Sequence, residues 1–306
     1  MAPTHFLAPP QTTLGLDPAL LTGHLAPTSL VKYHQALQAY LAFCSTPALA
    51  LEAASLARWR THLAQHTALS PHTINRLLAA VKRLVKEAAA QGYVDVGTAA
   101  AFAAVAGVKP QALKHRLKAT ARTRITPGQM RRLCDAPDPL ALRGRRDRAL
   151  LATLASSGCR VSEVVTLTAA QVASRAGRFV VQVLGKNQTA PREAPLSQEA
   201  YTLIEAWLAR RPVESAYLFT RFAGRGARAT AQPMSPTAVW QAVQRYAAAV
   251  GLHHVKPHDF RRFVGTELAK RDIRQAQKAL GHTRIETTAK HYVLDELEVG
   301  LTDGLY

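Results

Sequence analysis

Residues 258–292 read HDFRRFVGTELAKRDIRQAQKALGHTRIETTAKHY, and this stretch decides how the rest of the chain is read. His258 and Arg261 are three residues apart, hence neighbours on one helix face, while Phe260, Val264 and Leu268 can turn inward. Gly281 ends the next helical segment, His282 follows it, and Tyr292 stands ten positions after His282. A second arginine, Arg160, lies far upstream in Ser157-Gly158-Cys159-Arg160-Val161-Ser162-Glu163, and Lys186 follows in Leu184-Gly185-Lys186. Guanidinium groups fork onto phosphate oxygens in two parallel hydrogen bonds. Two arginines, a lysine, two histidines and a tyrosine therefore suit metal-free attack on a phosphodiester.

Charge leads to the same partner by an independent route. The 306-residue chain carries 39 Lys plus Arg against 20 Asp plus Glu, a net charge of +19, which is the footprint of a protein that binds a polyanion. A membrane surface fits less well: no apolar run is long enough to span a bilayer, and the basic residues are scattered and not gathered on one amphipathic helix. Cys44, Cys134 and Cys159 are odd in number and far apart, which argues against a disulfide frame or a zinc site and fits a reducing, cytoplasmic setting. Cys159 reads as a small core filler.

Working outward along the chain, residues 1–27 mix Pro, Thr, Leu and Gly without the regions of a signal peptide and read as a flexible tail. Residues 28–107 read as a helical domain. Leu30, Tyr33, Leu37, Tyr40 or Leu41, and Cys44, then Leu56, Trp59 and Leu63, recur at three- and four-residue steps. Ser70 caps a third helix with Pro71 at its first position and Ile74, Leu78, Val81 and Val85 along its apolar stripe, and an Ala-rich stretch from Val94 adds a fourth. Lys82, Arg83 and Lys86 fall on the polar face of the third helix, either as solvated surface or as contacts for the polyanion. Residues 108–124 form a basic linker in which Lys114, Arg116, Lys118, Arg122 and Arg124 can meet backbone phosphates.

Residues 125–306 read as a second domain. Thr126 and Gln129 make a capping box, a helix runs from about Asp147 to Ser157, and Phe179–Leu184 with Glu193–Leu196 form one hairpin carrying Lys186. The remainder reads as helical, with N-caps at Ser197 and Ser235. Arg262 points away from Arg261, toward a DNA phosphate or solvent.

In this order and register, Arg160 in Gly-Cys-Arg-Val-Ser-Glu, Lys186 on a hairpin, His258-x-x-Arg261, Gly281-His282 and Tyr292 resemble the signature of the tyrosine recombinases, the phage-integrase and Xer-like DNA strand-exchange enzymes. The likeness spans roughly residues 120–295. It implies a mainly α fold with a small antiparallel β-sheet in the catalytic domain, arranged as a two-domain DNA clamp with a helical core-binding domain. It implies Tyr292 as nucleophile, Arg160 and Arg261 on the non-bridging oxygens, His258 and His282 as further hydrogen-bonding groups, Lys186 as the acid that protonates the leaving 5′-oxygen, and Glu163 bracing Arg160. Arg192 competes with Lys186 for the acid's role.

The implied reaction is site-specific cleavage and rejoining of DNA through a 3′-phosphotyrosyl enzyme, without a cofactor. The partners implied are double-stranded DNA with a specific recombination site and, on two paired sites, a homotetramer built from a free monomer or weak dimer. The spacing from His282 to Tyr292 is one position longer than in many members, so a rigid alignment puts His291 in the nucleophile's place; loop-length variation favours Tyr292 over it and over Tyr246 and Tyr306. After Tyr292, Leu294, Leu297 and Leu301 lie at helical spacing beside an acidic face, a tail that packs either on its own domain or on a neighbouring subunit. A type IB topoisomerase-like nicking-closing enzyme and a catalytically silent DNA-binding protein are the other two classes compatible with these residues.

Overall fold

The computed structural model describes residues 15–116, 124–185, 190–224 and 228–292. The chain divides into two compact units, Met1–Thr120 and Ala121–Tyr306, each with its own apolar core.

The first unit is helical. Its elements are α1 (Pro27–Phe43), α2 (Pro47–Ala50), α3 (Ala53–His66), α4 (Pro71–Ala90) and α5 (Val96–Ala104). Helix α4 is the central one: Ile74, Leu78, Val81, Leu84, Val85 and Ala88 are buried at the expected spacing, and Ser70 accepts from the Thr73 amide as its cap. Leu37 and Tyr40 of α1 and Leu56 and Trp59 of α3 close on it, with the Tyr40 and Trp59 rings 5.1 Å apart.

Three expectations change in this unit. Part of the stretch read as a tail belongs to the fold: Leu16 and Leu21 are fully buried in the helical core, and the 3-10 turn Pro18–Leu21 is capped by Asp17. The linker starts later than residue 108, because Asn75 clamps the Val108 backbone, donating to its carbonyl at 2.9 Å and accepting from its amide at 2.7 Å, and Pro110–Arg116 forms another 3-10 turn with Leu113 against the core. Lys82 does not face solvent as a free DNA contact. Its ammonium donates to the carbonyls of Ala103 and Val105, satisfying the orphan C-terminal acceptors of α5. Arg83, Lys86 and Lys114 are exposed, whereas Lys118 and Arg122 lie outside the described residues.

The second unit begins with α6 (Pro127–Asp135), capped by the reciprocal Thr126–Gln129 box, and α7 (Leu142–Ser157). Then come the one-turn α8 (Val161–Val164) and the strands β1 (Val172–Arg175), β2 (Arg178–Val183) and β3 (Arg192–Leu196). These strands pair antiparallel in the order β1-β2-β3, with Val181 opposite Ala194 and Val183 opposite Arg192. Helix α9 (Gln198–Arg210), a second pair β4 (Thr220–Ala223) and β5 (Arg228–Pro233), and helices α10 (Pro236–Ala249), α11 (Pro257–Ala269), α12 (Ile273–Leu280) and α13 (Ile285–Tyr292) follow. Leu150, Leu151 and Leu154 of α7, Val181 of β2, Ile204 and Trp207 of α9 and Phe260 of α11 make the core. No helix among the described residues is long and apolar enough to cross a membrane.

Here too the sequence reading needs correction. A single hairpin was expected and the rest was read as helical, yet β1 and the β4-β5 pair are present. Helix α7 starts at Leu142, five residues before the expected Asp147, because tertiary contacts hold its polar first turns. Arg146 and Asp147 form a buried ion pair at 2.6 Å, and Arg146 also donates to the Thr220 carbonyl of β4. A Cβ on Gly144 would lie 1.8 Å from the Asp138 carbonyl oxygen, so only glycine fits this approach.

Candidate active site

Three helix ends and one strand deliver the polar residues. Helix α7 stops at Gly158, which takes the left-handed conformation at φ +60° and so turns the chain into Cys159 and Arg160. Arg160 then precedes α8, and Glu163 folds back on it, accepting from its amide and from its guanidinium, both at 2.8 Å. Arg192, at the start of β3, donates at 2.9 Å to Oε2 of Glu163, the oxygen that also accepts from the Arg160 amide, and to the Ala279 carbonyl of α12 at 2.5 Å. The Glu163 side chain is only 3% exposed, so one buried carboxylate is shared by two guanidiniums.

Arg261 is 2% exposed. It donates to the carbonyls of Gly158 at 2.9 Å and Leu280 at 2.6 Å, and it meets Nε2 of His282 at 3.0 Å. A guanidinium has no acceptor, so Nε2 accepts and the proton of neutral His282 sits on Nδ1, which donates to the Thr288 hydroxyl at 2.9 Å. Gly281, left-handed at φ +67°, makes the turn that presents His282. The His282 ring stacks on Tyr292, centroids 5.5 Å apart with planes 17° from parallel. Tyr292 is 3% exposed and lies against Gly265 of α11, where an added Cβ would come within 2.4 Å of the ring.

His258, in the first turn of α11, is exposed while Pro257, Asp259 and Phe260 around it are buried. Desolvation, then the charges of Arg262, Arg261 and Arg160, hold its imidazole below the usual histidine value, with Asp259 acting the other way. Arg261 is likewise pushed down by burial and by Arg160, while Tyr292 opposes the shift. Arginine does not deprotonate in proteins, so Arg261 stays a buried cation beside Arg160, and an anion entering the site would offset both.

Arg160 is tied to Glu163, and Arg261, His282 and Tyr292 adjoin one another, with His258 within reach of the charges of Arg160 and Arg261. Lys186 lies outside the described residues. Arg192, its competitor, is held by Glu163 and Ala279 and is placed to brace the site, not to move a proton. Arg262 approaches Asp259 at 3.3 Å and stays 40% exposed, so a carboxylate already partly compensates it. Tyr246 donates to buried Asp147 at 2.9 Å and its hydroxyl is pushed up to about 12 by burial and that carboxylate, the opposite of what a nucleophile needs. Tyr306 and the acidic tail lie outside the described residues. Burial raises the Cys159 thiol, in keeping with a core filler. Two contributors went unread in the sequence: Thr288, which holds the His282 tautomer, and Gly265, whose place inside a helix, where alanine is favoured, is the local signal of a close approach.

The Phage integrase family description matches residues 123–297 of the chain. Tyrosine recombinase XerD of Neisseria meningitidis serogroup B is 34% identical over 174 residues, covering 54% of this chain and 56% of that protein. Tyrosine recombinase XerA of Pyrococcus furiosus is 32% identical over 145 residues, 47% of this chain and 48% of that one. The match spans about half the length of the curated relatives. Among solved structures, the Tn1549 transposon integrase in complex with transposon right end DNA superposes with a TM-score of 0.66 at 15% identity, over 94% of this chain and 97% of that one. A lambda integrase dimer bound to a COC′ core site gives 0.63 at 14% identity, over 90% and 74%. These two likenesses concern the fold, which is mainly helical with small antiparallel sheets. Since the family match covers more than half of the chain and includes both arginines, both histidines and the tyrosine of the site, the chain belongs to the phage integrase family.

Proposed function

We propose that this chain is a site-specific tyrosine recombinase, which cleaves and rejoins DNA strands through a 3′-phosphotyrosyl intermediate. The observation that carries the reading is the seat of Tyr292: stacked on a neutral His282 that is itself hydrogen-bonded to Arg261. A structural tyrosine has no need of that setting; a nucleophile beside a phosphate-binding guanidinium does.

In the reaction, Tyr292 gives up its hydroxyl proton to solvent as its oxygen attacks the scissile phosphorus, the bond to the 5′-oxygen breaks, and a 3′-phosphotyrosyl ester forms. Arg160 and Arg261 neutralise charge on the non-bridging oxygens as it builds, and His258 adds a hydrogen bond from the open side. In this arrangement both nitrogens of His282 are engaged, so its first task is to hold Arg261 and Tyr292 in register. Lys186 supplies the proton to the departing 5′-oxygen, a role that rests on the family resemblance. Because the ester conserves the bond energy, a 5′-hydroxyl from another strand reverses the step without ATP.

The helical residues 28–107 and the basic residues 108–124 would hold the duplex, with Arg83, Lys86 and Lys114 exposed for backbone contact. Two paired recombination sites would assemble a homotetramer, with the residues after Tyr292 coupling nucleophile and neighbour. The chain would act on DNA in the cytoplasm. The test is incubation with a pool of nicked random-sequence duplexes, followed by a denaturing gel. A covalent protein–DNA band carrying a free 5′-hydroxyl end is expected; its absence from every pool would overturn the proposal, and plasmid relaxation without strand exchange would assign the nicking-closing activity instead.

A further inference from the structure

We propose that the cleft between α7, β4 and α10 is a second phosphodiester-binding site, which grips the duplex backbone away from the bond that is cut. The inference rests on the DNA-cleaving reading above and adds to it a point of contact. The cleft, about 130 Å³, is lined by Arg143, Arg146, Arg221 and Arg245 together with Phe222 and Gln241, and no carboxylate is among its described lining residues. Among the described residues a carboxylate meets only Arg146 of these four, its Nε and one terminal nitrogen on Asp147 at 2.9 and 2.6 Å.

Phe222 forms the floor. The Arg146 guanidinium lies 4.7 Å and that of Arg143 5.6 Å from the centroid of its ring, which fixes both cations before any ligand arrives. Arg221 and Arg245 are exposed at the rim. Four guanidiniums around one cavity with one buried carboxylate repel one another unless an anion enters. In the active site, likewise, two guanidiniums, Arg160 and Arg192, share the single buried carboxylate of Glu163.

The size selects the ligand class. Pockets for whole small molecules run to about 300 Å³ and more, so this cleft suits a single phosphate group and not a base or a complete nucleotide. Along α7, Arg146 and Gly158 are separated by roughly 18 Å at 1.5 Å per residue, about five base-pair rises, so the phosphate held here is not the scissile one.

The test uses the full chain and a mixed-sequence duplex of about 30 base pairs, with affinity measured from roughly 50 to 200 mM salt. The Arg221→Gln/Arg245→Gln variant should show a salt dependence shallower by about one unit of log–log slope and an affinity at least about tenfold weaker at the low-salt end. Arg221→Lys/Arg245→Lys, with matched thermal unfolding, should keep most of the slope. An unchanged slope in the Gln variant overturns the proposal. So does saturation of the cleft by inorganic phosphate at millimolar concentration with duplex binding unaffected, which would make it a small-anion site. Steep duplex binding lost in the Gln variant while wild type forms no covalent adduct would sustain this site and overturn the recombinase reading alone.

Discussion

Arg192 and Glu163 form a buried ion pair at 2.9 Å, joining the first residue of β3 to the one-turn helix that follows Arg160. The other terminal nitrogen of the same guanidinium holds the Ala279 carbonyl, two residues before Gly281 and the His282 turn. Next along that helix end, the Leu280 carbonyl is taken by Arg261. Two arginines from different elements thus cap one helix C-terminus, where cations are favoured, and lock the sheet, the Arg160 turn and the His282 turn into one unit.

Arg192→Gln removes one partner of a buried pair and leaves Glu163 with a single cation. A loss of about 1–3 kcal/mol in unfolding free energy is expected from denaturant melts, since Glu163 keeps Arg160 while one of its buried hydrogen bonds and the donor to the Ala279 carbonyl are lost. Arg192→Lys should recover only part of it, because an ammonium lacks the fork that spans Glu163 and Ala279. A change below about 1 kcal/mol in Arg192→Gln would mean the pair contributes little.

Gly265→Ala separates helix propensity from the seat of the nucleophile. Alanine favours an exposed helix interior by about 1 kcal/mol, but here the new Cβ falls within 2.4 Å of the Tyr292 ring. The variant should bind duplex DNA normally and form covalent adduct at least about tenfold more slowly, since a displacement of about 1 Å at a reacting group can cost a hundredfold. Adduct formation at the wild-type rate would show that the tyrosine works from a different position.

Arg160 and Arg261 should differ when each is replaced by alanine. Both lose phosphate charge stabilisation, about 3 kcal/mol or two decades in cleavage rate. Arg160 is 38% exposed at its side chain, and Glu163 retains Arg192 when it is removed, so its loss should leave the melting temperature nearly unchanged. Arg261 is buried and serves two carbonyls and His282, so its loss should lower stability as well. Differential melts with rate measurements on the same samples check the contrast.

His258 gives a pH signature. Its imidazole is held below the ordinary value near 6.5, so on acidification the unfolded chain takes up a proton that the folded chain resists. The stability this contributes is full above about pH 6.5 and is lost as the pH falls through the folded value. Nuclear magnetic resonance of the His258 ring protons should show a midpoint below about 6.5 that rises when a phosphodiester occupies the site and offsets the arginines. A midpoint at or above the free value without ligand would mean that the neighbouring guanidiniums do not act on this ring.

What the sequence disclosed is what short-range physics controls. Ser70, Thr126, Ser197 and Ser235 cap their helices as read, because a cap needs only a hydroxyl and an amide three residues on. The order of arginines, histidines and tyrosine was legible because the chemistry fixes residue types. Helix α7 was misplaced at its start because its first turns are held by Asp147 and the distant Thr220 carbonyl, and β4-β5 was missed because Thr220–Ala223 and Arg228–Pro233 show no sustained apolar alternation. Lys82 was misread for a similar reason: whether a lysine meets solvent or the end of α5 is settled only by packing. The choice between His291 and Tyr292 turned on one residue of spacing, and the glycine that seats the tyrosine lies 27 positions upstream.

The central claim is that Tyr292 becomes covalently attached to DNA. Wild-type and Tyr292→Phe proteins should be incubated with the same nicked duplex pool, and trapped adducts digested and sequenced by mass spectrometry. The account predicts a nucleotide-modified peptide containing Tyr292 in the wild type, no adduct in the Phe variant, and duplex affinities within a few-fold of each other. Adduct formation by Tyr292→Phe, or a modified peptide carrying the nucleotide on His291 or another tyrosine, would contradict it.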